Sequence, residues 1–417
     1  MTHRRLAASA TVAALIILAS GCSGSSSATP TTAHLRSRAA TTVPTTTAAA
    51  PTTTGPPSIA PTTAPVPVTQ PPGWASDLTA LPPGGGFTSL SCISDTFCVA
   101  TGGGTDGDNA ELTTGSGVAV SWDGASWSDP SVYYPAPPDG PVTAPVLPTI
   151  ACTSGPTCAI VDGSDHVSGG NGTTWTAPAA LTGAPAVPAD PDDPGPGHPG
   201  SRSGAVSCPA PTTCAVVDNT GHVYTLRAGR WLAPQSFGAP GGSAGSTSVS
   251  LYQAGRVGVS CPSDSQCTAV IGTSVLDWNG NTWTEDPEPW TSSLTSGPSD
   301  PTAIACPTTT WCAVVNGTGV SIRGAANRWS PEQTIDPRGG LDSISCPTTS
   351  YCLAADGGGA VVAWNGLAWA APDQVIPAAT EYAGIGTTVS CPTIQFCMVM
   401  NSDGDYSTYT GPGSGPG

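Results

Sequence analysis

Fourteen of the fifteen cysteines in this 417-residue chain recur as Cys-x5-Cys: Cys92/Cys98, Cys152/Cys158, Cys208/Cys214, Cys261/Cys267, Cys306/Cys312, Cys346/Cys352 and Cys391/Cys397. Two thiols at this spacing can close a disulfide or share a metal ion. Zinc sites favour shorter cysteine spacings, and the five histidines do not follow the pairs. A Cys-x5-Cys hairpin instead places both side chains on adjacent antiparallel strands, where opposed positions meet disulfide geometry. The expectation is a disulfide within each hairpin, with no metal and no cofactor. Closing so small a loop stabilises by roughly 2 kcal/mol in the chain-entropy model. Other reactive constellations are sparse. Asn401, Asp403 and Asp405 alternate oxygen ligands as a calcium loop does, but without the turn glycine and distal glutamate of an EF-hand, and read as a turn. His166, His198 and His222 fall in turn or loop contexts with no nucleophile motif nearby.

The elements that position these cysteines form a repeat. From first cysteine to closing tryptophan is 23 residues for Trp175, Trp231, Trp329 and Trp369, 22 for Trp283, and 35 for Trp127, as a loop insertion would produce. Each unit carries four short apolar runs separated by turn signals. The first ends at a cysteine, and a five-residue loop leads to the second. A Gly/Asn/Asp turn leads to the third, and an Asn-Gly or Asp-Gly pair leads to a fourth that contains the tryptophan. Asn365-Gly366, Asn279-Gly280 and Asp123-Gly124 suit a type I′ hairpin. Four antiparallel strands per unit, at cysteine periods of 40 to 60 residues, predict propeller blades. The seventh unit ends without a tryptophan strand, and Gly73-Trp74-Ala75-Ser76-Asp77-Leu78 supplies one ahead of the first cysteine. The expected fold is therefore all-β: a closed seven-bladed β-propeller over 73–412, its last blade completed by the N-terminal strand, which removes the two open edges. Residues 413–417 form a tail. The units resemble those of bacterial secreted propeller lipoproteins of actinobacterial type across about four-fifths of the chain.

The chain opens with His3-Arg4-Arg5 and a short apolar run through Leu18, too short to span a bilayer as a mature helix. Ala19-Ser20-Gly21-Cys22 resembles a bacterial lipobox, although Ala19 stands where leucine is usual. The resemblance implies removal of residues 1–21 as a signal peptide and lipid attachment at Cys22, with the protein held at the extracytoplasmic face of the membrane through that anchor alone. Residues 22–72 are Ser, Thr, Pro and Ala with little to bury, and read as a disordered tether. As a flexible coil, such a segment spans roughly 40 Å.

The chain has no lysine, eleven arginines and 28 acids. All 28 acids but only seven arginines lie from Gly73 onward, which leaves that segment at −21. This balance argues against nucleic acid and anionic lipid surfaces as partners.

Nearly all variation in loop length falls on one face, where strand two turns into strand three and each blade leads to the next. Long loops on a rigid scaffold are where binding usually resides. Arg202, Arg256 and Arg338 precede innermost strands by similar distances, Asp342 sits just before Cys346, and Glu381-Tyr382 occupies a comparable connection. This set is similar to that of sialidases, propellers whose converging arginines bind a carboxylate and whose Tyr–Glu couple supplies the nucleophile. Ser121-Trp122-Asp123-Gly124-Ala125-Ser126-Trp127 approximates their Asp-box, one residue short. The sequence thus predicts a monomeric, lipid-anchored binding or scaffold module for an extracellular glycan, peptide or protein, with no catalytic residue assigned. The alternative is a sialidase-like hydrolase or lyase acting on an anionic saccharide.

Overall fold

The computed structural model describes residues 73–77, 81, 85–104, 116–134, 148–163, 165–181, 204–237, 257–272, 274–286, 301–324, 326–380 and 386–411. Cys22, the signal segment and the tether lie outside them. The described residues form seven antiparallel sheets, each a blade. Innermost strands are Gly85–Ser94, Thr149–Thr153, Gly204–Ala210, Val257–Ser263, Pro301–Thr308, Leu341–Thr348 and Thr387–Thr393. Each touches the next, and the seventh returns to the first, so the ring is closed. In the last blade, strand Trp74–Asp77 pairs with Tyr406–Tyr409 in the register Trp74↔Tyr409 to Asp77↔Tyr406. No sheet edge is left open at the seam.

Each cysteine pair closes the hairpin between the first two strands of its own blade, and no pair crosses between blades. The sulfurs stand at bonding distance in all seven: 2.02 Å in Cys92–Cys98, 2.05 Å in Cys152–Cys158, 2.06 Å in Cys208–Cys214 and 2.05 Å in Cys261–Cys267. The remaining three are at 2.09 Å in Cys306–Cys312, 2.03 Å in Cys346–Cys352 and 2.04 Å in Cys391–Cys397. The second cysteine of every pair, on strand two, is buried: Cys98, Cys158, Cys214, Cys267, Cys312, Cys352 and Cys397. These sulfurs and the tryptophan then take the place of a central core. Trp127 packs with Phe396, Met398 and Tyr406 of the preceding blade. In the same sense Trp175 meets Val99 and Ala119, and Trp329 meets Val270 and Val275. Trp369 meets Val315 and Val320. Seven small interfaces therefore replace one central core.

A second device ties the inner strands together. The serine that precedes a first cysteine accepts, on its Oγ, the backbone N–H of the first cysteine in the next blade. This happens from Cys152 to Ser91, Cys261 to Ser207, Cys306 to Ser260, Cys391 to Ser345 and Cys92 to Ser390, at 2.9 to 3.0 Å. The two steps that lack the bond follow Ala151 and Ala305, where no hydroxyl exists. Each such bond contributes about 1 kcal/mol.

Two expectations change in detail. The closing tryptophan is not embedded in a continuous fourth strand in most blades. Trp127, Trp175, Trp329 and Trp369 make isolated bridges to the end of strand three, and pairing resumes in Ser131–Tyr134, Ala179–Ala180, Gln333–Thr334 and Asp373–Gln374. The Asp-Gly and Asn-Gly hairpins are also not type I′, which needs positive φ at both central residues. Only the glycines reach it, Gly124 at 99° and Gly366 at 90°. The preceding side chain has a competing use. Asp123 Oδ1 accepts the amides of Ala125 and Ser126, and Asn365 Oδ1 those of Leu367 and Ala368. These bonds stabilise a four-residue loop, and the Ser126 and Ala125 amides hold the Asp123 carboxyl below its ordinary range. A two-residue turn with both φ positive occurs at Ala228-Gly229 instead.

Candidate functional site

Among the described residues, the two faces of the ring differ in charge. On the face formed by strand-two-to-three turns and inter-blade connections, strand two ends in a buried acid or amide whose Oδ1 accepts the amide four residues on: Asp162 from His166, Asp218 from His222, Asp356 from Ala360 and Asn401 from Asp405. The turns and connections interlock. Leu181 N donates to Asp165 O, Phe237 N to Gly221 O, and Gly357 N to Gly340 O.

The second carboxylate oxygens take side-chain partners. Tyr224 Oη lies 3.4 Å from Asp165 Oδ2 and 3.3 Å from Asp218 Oδ2, bridging blades two and three. His222 Nδ1 stands 3.3 Å from Asp218 Oδ2, and His166 Nδ1 3.5 Å from Asp162 Oδ2. Asp403 and Asp405 add partly exposed carboxyls at the seventh blade. Among the described residues, the arginine on this face is Arg338. The opposite face, made of cysteine loops and the hairpins between strands three and four, sets Asp95, Asp123 and Asp264 against Arg227, Arg230 and Arg328.

Of the site residues expected from the sequence, Arg338 and Asp342 lie on this acidic face, in and just after the connection between blades five and six. Arg338 is half exposed, yet its guanidinium is already engaged, 3.1 Å from Asp336 Oδ2 and 3.1 Å from Asp356 Oδ2. Burial pushes the Asp356 carboxyl up to about 6, helped by its contact with Asp336. Burial opposes ionisation of Asp336 too, but hydrogen bonds from Arg338 and Asp356 hold it below the ordinary range. The pair therefore titrates as a unit. Asp342 is partly buried and reaches towards the backbone of Gly357 and Gly386. Arg202, Arg256, Glu381 and Tyr382 lie outside the described residues.

The cysteines stand apart from the acidic face. Their loops form the opposite face, and each sulfur is taken up by its partner within the hairpin. Cys352 packs with Ala313, Ala354 and Val362, and Cys397 with Leu353, Val361 and Val399. Their role is to pin strand one to strand two and to fill the space between blades.

One inter-blade step departs from the other six. The residue opposite each second cysteine on strand three is Trp122, Gly170, Leu226, Trp278, Arg323, Trp364 and Tyr409 around the ring. Arg323 is the one charged residue of that set and is 3% exposed. Its Nη1 meets Asp277 Oδ2 at 2.8 Å and Oδ1 at 3.0 Å, and its guanidinium lies 5.3 Å above the Trp329 ring. Asp286 Oδ2 is 3.8 Å away. Asp277 takes the place of Ser121, Gly169, Thr225, Ile322, Ala363 and Thr408. Thr268, which donates to Asp277 Oδ1 at 2.7 Å and also receives Arg323 Nη2, takes the place of Val99, Ala159, Ala215, Ala313, Leu353 and Met398. These three residues line a polar cavity of about 220 Å³ between blades four and five, on the cysteine-loop face. Sequence reasoning passed over them, although aligning the repeats puts Arg323 opposite Trp364 and Asp277 opposite Ala363. A second cleft, apolar and about 280 Å³, opens between blades two and three around Val167, Leu226 and Trp231, with Cys158 and Cys214 in its wall.

No protein-family model matches the chain, and no curated protein matches it in sequence. Solved structures do. The chain shares the fold of seven-bladed β-propellers. YCF48 bound to D1 peptide aligns over 83% of this chain and 99% of its own, at 16% identity and a TM-score of 0.52. The WD40 propeller of Doa1 covers 82% and 99% at 10% identity and a TM-score of 0.54. A catalytically inactive virginiamycin B lyase from Staphylococcus aureus, seen with quinupristin, covers 81% and 99% at 8% identity and 0.53. At these identities the likeness is one of fold. The propeller scaffold hosts unrelated activities, so its function must be argued from its own surface.

Proposed function

We propose that this propeller is a binding module that docks a basic, extended polypeptide segment on its acidic face, held at the outer side of a membrane by a lipid on Cys22. The observation that carries the reading is the charge asymmetry among the described residues: partly exposed Asp403 and Asp405, with buried Asp162, Asp165, Asp218, Asp336 and Asp356 beneath, on one face against Arg338, and balanced charges opposite. Like-signed groups gathered on one face focus potential and attract the complementary charge. Support for a polypeptide ligand comes from the fold, since YCF48 has been seen with a peptide. The acids are held by backbone amides, by Tyr224, by Arg338 and by Asn401, so little side-chain entropy is lost when a cation arrives.

The test is a peptide array probed with the full chain at low and at physiological salt. Binders should be rich in Lys and Arg and weaken as salt rises, and a variant carrying Asp403→Asn and Asp405→Asn should bind them less. An array dominated by acidic or neutral binders, or binding indifferent to that variant, contradicts the proposal.

A further inference from the structure

We infer that the cavity between blades four and five is a binding site for one neutral sugar unit, separate from the acidic face and independent of the peptide reading. Six inter-blade steps fill the equivalent space with apolar, small or hydroxyl side chains, and the ring closes through all of them. The charged step is therefore not a requirement of the fold. Replacing a buried ion pair with apolar residues is often neutral or stabilising. Its presence at one step only, opening onto a cavity, marks a site where local rules have been set aside for function.

The charges select the ligand class. Arg323 is committed to Asp277, with Asp286 as a second carboxylate at 3.8 Å, so the described local charge does not favour an anion. A cation would have to compete with Arg323 for Asp277. A hydroxyl competes with neither. The Asp277 carboxylate is one-third exposed and has acceptor capacity beyond the bonds from Arg323 and Thr268. The rim adds uncharged polar side chains: Gln266 and Asn327, Asn279, whose Oδ1 already accepts the amides of Asn281 and Thr282, and Thr284, whose Oγ1 donates to Asp277 O. The cavity holds about seven waters at ~30 Å³ each, the bulk of one hexose ring and too little for a peptide strand or helix.

The experiment is saturation-transfer NMR of the full chain with the methyl glycosides of glucose, galactose and mannose, and with methyl glucuronide as the anionic control. The rim variant Gln266→Ala with Thr284→Val spares the buried ion pair, and its thermal melting is checked against wild type. At least one neutral glycoside should receive transfer, and the rim variant should weaken it about tenfold, the loss of one to two hydrogen bonds. The arrays' basic peptides should not displace it. No transfer to any neutral glycoside overturns the inference, as does preference for the glucuronide or transfer undiminished in a folded rim variant.

Discussion

Breaking the ion pair from one side should harm the propeller more than removing it altogether. In Asp277→Ala, Arg323, 3% exposed in the wild type, loses the carboxylate that meets its Nη1 with both oxygens. Orphaning one member of a buried pair costs about 3–5 kcal/mol. Here the cost should fall just below that range, about 2–3 kcal/mol, because Asp277 is one-third exposed and Asp286 remains 3.8 Å away. The double variant Asp277→Thr with Arg323→Trp copies the preceding step, where Thr225 and Trp278 hold these positions and Thr225 Oγ1 accepts the indole N–H of Trp283. It should lie within about 1 kcal/mol of wild type. With the single variants Asp277→Thr and Arg323→Trp beside it, the coupling, about 2 kcal/mol, is readable as a double-mutant cycle on urea midpoints, since urea does not screen charge. If Asp277→Ala is as stable as wild type, or the double variant falls as far as the single one, the pair is not the isolated buried charge argued here.

The serine belt makes a paired prediction. Ala151→Ser and Ala305→Ser, which supply the missing acceptors for Cys208 and Cys346, should each raise stability by about 0.5–1 kcal/mol, while Ser345→Ala should lower it by a similar amount; thermal melting of the four proteins checks both. Asp356 has a folded pKa raised from 3.8 to about 6, so its folded form holds a proton that its unfolded form releases. Stability contributed by this group is full below pH 3.8 and is lost as pH rises to about 6. Asp336 acts in the opposite sense at lower pH. Melting followed from pH 4 to 7 should therefore show a loss that Asp356→Asn abolishes. Cys22→Ala should move the protein from the membrane fraction to the soluble exported fraction, and fractionation with unchanged distribution would remove the anchor from the account.

The architecture was readable because disulfide spacing, tryptophan spacing and turn residues recur with the same period, so seven weak signals add. The seam was readable for the same reason: an orphan Trp74 at one end matches a missing strand at the other. Local geometry was less so. An Asn-Gly pair looks alike in a two-residue and a four-residue loop, and which forms depends on whether the Asn side chain caps the next two amides, as Asn365 does. The serine belt and the Arg323 pair are written in the sequence, but only as departures within the alignment of repeats. Ser345 gains meaning beside Ala305, and Arg323 beside Trp364. Arg338 illustrates the limit of single-residue reading. It stands on the expected face, yet its charge is already shared with Asp336 and Asp356, a contact between separate loops that no local pattern encodes.

The central claim is that the acidic face is where a ligand docks. Hydrogen–deuterium exchange of the full chain, with and without a saturating lysine- and arginine-rich peptide taken from the array, tests it directly. The account predicts slowed exchange in the strand-two-to-three turns, at 162–166, 218–222, 356–360 and 401–405, with the cysteine loops unchanged. Protection confined to the cysteine-loop face would contradict it.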